Sequence, residues 1–281
     1  MKKLMAVCCA VFFTFALNAQ VIIKNGDAVA FMGDSITQQG NTSAAGYVNL
    51  VMKGLEVAGV KAKKIPAGVS GNKSNNMLDR LERAVLAKKP QWMTFSCGVN
   101  DVWHGEKGIP LEKYKENVTK ILDKCAAAGV KVIVLTATMI GEDPSNPNNK
   151  KLAAYNEWLR AEAKKRNLPM ADLNADMQAM LAEIRKTDKS RGNKITRDGV
   201  HMAYRGNCMM AWGVLRAMGV DESLKGAIFA EFDKAPGAYE VSVKISAEEY
   251  AKIVKEAAAS EKGFKEYARE KLLHPYPTFL N

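Results

Sequence analysis

The sequence predicts an α/β sandwich of three layers on a five-stranded, mostly parallel sheet, followed by a C-terminal appendage of strands and helices. Three observations carry this. Short apolar runs alternate with helix-period patterns from residue 28 to residue 217. One run, VKVIVLTATMIG at 130–141, is continuous and rich in β-branched residues, as a strand buried on both faces should be. The runs end in glycine-bearing polar turns, which suit strand-to-helix connections at one sheet edge.

Residues 1–19 read as a signal peptide. Lys2 and Lys3 precede an uninterrupted apolar run at 4–17, and Asn18 and Ala19 offer a cleavage site. That run is shorter than the ~20 residues a spanning helix needs. An uncleaved anchor is the lesser alternative, so the mature protein is expected to be exported, without integral membrane association.

The elements then follow in order. AVAFMGDS at 28–35 is the first strand. GYVNLVMKGLEVAG at 46–59 has apolar residues at helical spacing and a glycine stop. VKAKKIPAGVSG carries a second strand into a glycine-rich turn. SNNMLDRLERAVLAKK sets Met77, Leu78, Leu81, Val85 and Leu86 on one helical face. QWMTFSCG is a buried strand, LEKYKENVTKILDKCAAAG an amphipathic helix, and VKVIVLTATMIG the fourth strand. NKKLAAYNEWLRAEAKKRN is a helix, LPMADLN a short fifth strand, and ADMQAMLAEIRK and RGNCMMAWGVLRAMG are helices. Right-handed crossovers put such helices on both faces of the sheet.

The tail differs. Residues 227–246, AIFAEFDKAPGAYEVSVKIS, read as two strands around a Pro236-Gly237 turn. Ser246 and Glu249 form a capping box for a helix, with Ile245 and Tyr250 as its hydrophobic staple. A second short helix, KEYAREKLL, follows Gly263. The predicted organisation is residues 1–19 signal, 20–225 sandwich, and 226–281 hairpin and helical extension.

Charge and cysteine content exclude several classes. The formal charge of +11 falls by two with Lys2 and Lys3, and the remainder is spread thinly among helical acids. A solvated face is the preferred reading, with weak attraction to anionic glycans as the alternative. Cys97, Cys125 and Cys208 have no framework spacing and read as free buried thiols, a single bridge being the alternative. The histidines 104, 201 and 274 sit near no second histidine or cysteine pair, so no metal site is expected. Met202, Met209, Met210 and Met218 read as core. GVSGNKS does not satisfy the phosphate-loop pattern.

Chemistry is expected where ligands bind in parallel sheets, beyond the carboxyl ends of the strands. There the sequence places Gly33-Asp34-Ser35, then Gly68 to Asn72, then Gly98 to Asp101, and later Asp198 to His201. Acyl transfer needs a hydroxyl nucleophile, a base, a group to orient the base, and donors for an oxyanion. Ser35 can be the nucleophile and His201 the base. Asp198, three residues earlier, can reach the imidazole. The Ser35 and Gly71 N–H groups and the Asn100 amide can be the donors. Taken singly, each of these residues reads as an ordinary turn or cap residue.

Together, GDSIT, GVSG, GVND and DGVH, in this order between residues 33 and 201, resemble the four blocks of the SGNH hydrolases, also called GDSL esterases and lipases. Ile36 stands where many members have Leu. The resemblance covers roughly residues 25–220 and none of the tail. It implies a flavodoxin-like sandwich and a serine esterase with Ser35, Asp198 and His201 as triad. Ser35, Gly71 and Asn100 would form the oxyanion hole, with no metal or cofactor. Asp34 and Asp101 are expected to brace their turns. Trp103 and His104 are expected to line the pocket, a plain surface position being an equal alternative for His104.

Export, the lack of a long apolar segment and the style of GDSIT and GVND point to short-chain, acetyl O-esters on carbohydrates. A lysophospholipase or thioesterase of the same family is the alternative. The other class considered is a non-catalytic binding protein. VSVKIS and the two helices after it resemble a ribbon-helix-helix module, which would pair two chains into a homodimer through the tail. Export argues against a nucleic-acid partner, and the strand can equally complete the hairpin.

Overall fold

Strand β1 (Ala28–Gly33) lies inside the sheet, and its Val29, Ala30, Phe31 and Met32 are fully buried. This follows from a computed structural model that describes residues 21–237, 246–260, Gly263 and Tyr267. The chain divides into two units, Met1–Tyr239 and Glu240–Asn281.

In the first unit β1 leads into α1 (Ser35–Thr42) and α2 (Tyr47–Val57). Strand β2 (Lys63–Gly68) follows, then α3 (Ser74–Ala84), β3 (Trp92–Ser96), α4 (Val99–Trp103) and α5 (Leu111–Ala127). The series closes with β4 (Lys131–Leu135), α6 (Pro147–Lys165), β5 (Met170–Ala171), α7 (Leu173–Thr187), α8 (Tyr204–Ala217) and α9 (Lys225–Phe232). Helix α3 ends earlier than its pattern suggests, and Leu86–Lys88 form a 3₁₀ turn.

The strand order is β2-β1-β3-β4-β5, and all four pairings are parallel. The order reverses at β1, which pairs with β2 on one side and β3 on the other. That is the flavodoxin-like arrangement with its switch point beside β1. Edge strand β2 carries Lys63, Lys64 and Pro66, residues an edge tolerates and an interior strand does not. Central β3 is buried throughout.

Right-handed crossovers set α1 and α2 on one face, and α3, α5 and α6 on the other. The packing agrees: α2 contacts α8 and α9, while α3 contacts α5 and α5 contacts α6. Helix α5 buries Tyr114, Val118, Ile121, Leu122 and Cys125, the spacing of one helical face. Met202, Met209, Met210 and Met218 are all core residues. Cys97, Cys125 and Cys208 are free and buried.

One expectation for the tail is overturned. Residues 227–232, expected as the first arm of a hairpin, are helical and belong to α9. Ile228 and Phe232 are four apart, so a helix turns both inward, and both are fully buried. An alternating strand would face them the same way but would leave Phe229 on the opposite side. In the helix Phe229 packs against the same core and stacks on Trp212 and Phe232.

In the second unit the capping box forms as expected. Ser246 Oγ accepts from Glu249 N at 3.2 Å, Glu249 Oε2 accepts from Ser246 N at 2.7 Å, and α10 (Ala247–Ala259) follows. Tyr250 is exposed. The segment expected as a signal, the strand expected at 241–245 with Ile245, and all but Tyr267 of KEYAREKLL lie outside the described residues.

Candidate active site

The chain leaves β1 at Gly33 and enters α1 one residue later. Asp34 is the N-cap: its Oδ1 accepts the Ile36 N–H at 2.9 Å. This explains an acid between strand and helix. Ser35 is the first residue of α1, nearly buried, with its hydroxyl held at the carboxyl edge of the sheet. Backbone N–H groups in a first helical turn have no acceptor within the helix, so they face outward at this edge.

The order of strands makes the turns after β1, β2 and β3 neighbours. Gly71, in the turn after β2, adopts φ +75°, and a Cβ there would meet nothing within 4 Å. Glycine is therefore required by the backbone conformation, in an open position that leaves the main chain approachable. The turn is tied down on both sides: Gln38 Oε1 accepts from Ser70 N at 2.7 Å, and Gly33 O accepts from Val69 N at 3.0 Å.

Asn100 is the second residue of α4 and is buried. Its Nδ2 donates to Asn72 O at 3.1 Å and approaches Asp34 Oδ2 at 3.4 Å. Asp101 is fully buried. Its Oδ1 accepts from Ser74 N at 3.0 Å and its Oδ2 lies 3.5 Å from Cys97 Sγ. Asp34 and Asp101 thus brace two different helix starts, those of α1 and α3. Burial pushes the Asp34 carboxyl up to about 6, against the Ile36 N–H and the nearby His201. Burial also raises Asp101, partly offset by the Ser74 hydrogen bonds.

The fourth turn comes from the long loop between α7 and α8. His201 Nε2 lies 2.9 Å from Ser35 Oγ, and His201 Nδ1 lies 2.6 Å from Asp198 Oδ2. Asp198 Oδ1 also accepts from the Val200 and His201 N–H groups, at 3.0 and 2.8 Å. Burial works against the charged Asp198, but the His201 ring and these two N–H groups outweigh it and hold the carboxyl down at about 2. A carboxylate can only accept, so His201 Nδ1 carries the proton and Nε2 presents its lone pair to the Ser35 hydroxyl.

Residues from four separate turns are therefore linked: Ser35, His201 and Asp198 in one hydrogen-bonded chain, with Asn100 beside it joined to Asp34 and, through Asn72 O, to the second turn. Trp103 and His104 stand at the end of α4, both exposed. His104 Nδ1 pairs with Asn100 O at 3.0 Å, and its ring packs edge-on to Trp103. Neither residue hydrogen-bonds the Ser35–His201 pair.

Two supporting side chains have no local sequence signature as site residues. Arg80, buried in α3, donates to Gly33 O at 2.9 Å and to Asn72 Oδ1 at 2.6 Å, joining the first and second turns. The one hint is a charged residue on the stripe that buries Met77 and Leu81. Glu142, after β4, holds the loop that bears Asp198 and His201 through four hydrogen bonds.

Residues 31–207 match the family model described as GDSL-like Lipase/Acylhydrolase family, which spans more than half the chain and all four turns. The chain belongs to this family. It is accordingly a carboxylic ester hydrolase. Among its relatives is an acetylxylan esterase of Geobacillus stearothermophilus, 26% identical over 220 residues, covering 71% of this chain and 97% of that protein. An acetyl xylan esterase of known crystal structure is 33% identical, with a TM-score of 0.63 over 68% of this chain and 98% of that one. A lipoprotein of Bacillus subtilis with no characterised function is 24% identical over 216 residues, covering 64% of this chain and 87% of that protein. All three matches leave a quarter or more of this chain uncovered.

Proposed function

We propose that this esterase removes short acyl groups, chiefly acetyl, from carbohydrate O-esters through a covalent Ser35 intermediate. The observation that carries the reading is the unbroken chain from Ser35 Oγ through His201 to Asp198, standing at the switch point of the sheet. The acetylxylan esterases aligned over nearly their whole length support acetyl and carbohydrate specificity.

In this mechanism Ser35 Oγ attacks the ester carbonyl while His201 Nε2 takes its proton. Asp198, held ionised by its hydrogen bonds, stabilises the imidazolium. The oxyanion is received by the Ser35 and Gly71 N–H groups and by Asn100 Nδ2. The Asn100 contact to Asp34 is long, 3.4 Å, so that N–H is the one an oxyanion would recruit. His201 then protonates the leaving alcohol. Water, deprotonated by the same nitrogen, hydrolyses the acyl-enzyme and regenerates Ser35. No step requires a metal or cofactor. The basic, apolar and small-residue order of residues 1–19 and the lipoprotein relative support export of the mature enzyme.

The test is Ser35→Ala with a chain-length series. The variant should keep its circular dichroism spectrum and lose p-nitrophenyl acetate hydrolysis. Wild-type rates should fall from acetate through butyrate to octanoate, and acetate should be released from acetylated xylo-oligosaccharides. Undiminished turnover by Ser35→Ala would sink the mechanism, and a preference for octanoate would favour a lipase.

A further inference from the structure

The loop that carries Asp198 and His201 has little regular structure of its own. Between α7 and α8 its only ladder contact among the described residues is an isolated bridge, Thr196 to Met202. Its geometry comes from residues 141 and 142, which follow β4 from the far side of the sheet order. The buried Glu142 carboxylate accepts from Thr196 N at 2.7 Å, Ile195 N at 2.9 Å and Thr196 Oγ1 at 2.6 Å, all through Oε1. Its Oε2 accepts from Lys194 N at 2.6 Å. Arg185 in turn donates to the Glu142 backbone oxygen.

The connection continues to the site. Thr196 Oγ1, having donated its proton to Glu142, accepts the Gly199 N–H at 3.1 Å. Gly199 O accepts from Gly141 N at 2.7 Å. Both polar groups of Gly199 are thus fixed by this anchor, and Gly199 lies between Asp198 and His201. Its φ of +93° would strain any side chain there, and a notional Cβ would stand a tight 3.3 Å from Gly141 Cα. An ionised carboxylate is the one side chain that accepts from all four donors without offering a proton of its own.

We infer that Glu142 is a positioning residue for catalysis, setting the Asp198–His201 turn against Ser35 through Thr196. The inference rests on the proposed roles of Asp198 and His201. Glu142 touches no substrate and acts through the loop alone. A misplacement of His201 by about 1 Å is enough to cost about 10²-fold in turnover.

Glu142→Gln keeps the side-chain shape but turns an N–H₂ toward one of the four donors. It should lower kcat on p-nitrophenyl acetate about 10-fold to 100-fold with KM little changed. Reaction of Ser35 with a fluorophosphonate should slow in parallel, since that step needs the same serine–histidine geometry and no substrate pocket. Thr196→Val should act in the same direction, Thr196→Ser should restore the rate, and the double variant Glu142→Gln/Thr196→Val should be no worse than the poorer single one. Should Glu142→Gln fail to fold, the Thr196→Val and Thr196→Ser pair carries the test. His201→Ala separates the two layers: if it retains full turnover, the underlying mechanism falls and this inference with it. If His201→Ala is inactive while Glu142→Gln and Thr196→Val label and turn over like wild type, the inference alone is overturned.

Discussion

Asp34 gives a prediction whose sign reverses with pH. Asp34 is 2% exposed, and burial raises its carboxyl from an ordinary 3.8 to about 6. A carboxyl raised on folding binds protons more tightly in the folded state, so its ionisation costs stability as pH rises from 3.8 through 6. At 1.36 kcal/mol per pKa unit the full cost is about 3 kcal/mol above pH 7, and roughly 0.5 kcal/mol at pH 4. Asp34→Asn removes the titration while its Oδ1 still caps Ile36 N. The new amide nitrogen would then face Asn100 Nδ2, replacing the 3.4 Å contact with two donors, at about 1 kcal/mol. The variant should therefore be about 2 kcal/mol more stable than wild type near pH 7, and equal or slightly less stable at pH 4. Urea unfolding followed by circular dichroism at pH 4, 5, 6 and 7, at matched ionic strength, measures the difference, and the other carboxylates cancel between the two proteins. A difference that does not change over this range would refute the burial argument. So would a variant that is the less stable of the two at pH 7.

Asp198→Asn should keep the loop but lose the tautomer that Asp198 imposes on His201. Turnover of p-nitrophenyl acetate should drop about 10⁴-fold with the fold intact, and a loss below tenfold would show that Asp198 does not set the imidazole proton. Gly206→Ala should be destabilising by about 1–3 kcal/mol, because a Cβ there would overlap the Ile195 carbonyl oxygen and crowd Met202. Thermal melting reads this directly, and an unchanged midpoint would mean the 195–202 loop gives way freely.

What the sequence revealed here depended on how local each signal was. The four polar turns were legible because each is a short pattern at the end of a strand run, and the strand order then gathered three of them. Asp34 could be assigned to bracing its turn because capping acts over two residues. Arg80 and Glu142 could not be found in this way. Arg80 serves Gly33 from 47 residues away, and Glu142 serves Thr196 from 54. No periodicity relates such partners. The misreading at 227–232 has a different cause: AIFAEF is a short apolar run, and periodicity alone does not separate helix from strand in six residues. Packing of Phe229 on the same core as Ile228 and Phe232 decided it.

The separation of 166 positions from Ser35 to His201 also has a consequence in time. At ordinary synthesis rates the serine leaves the ribosome about 10–30 s before the histidine that would activate it. On the proposed mechanism Ser35 stays an ordinary alcohol until the loop between α7 and α8 is made and seated against it. Its reactivity would then arrive only with that docking, and fluorophosphonate labelling of a nascent or refolding chain would time the step.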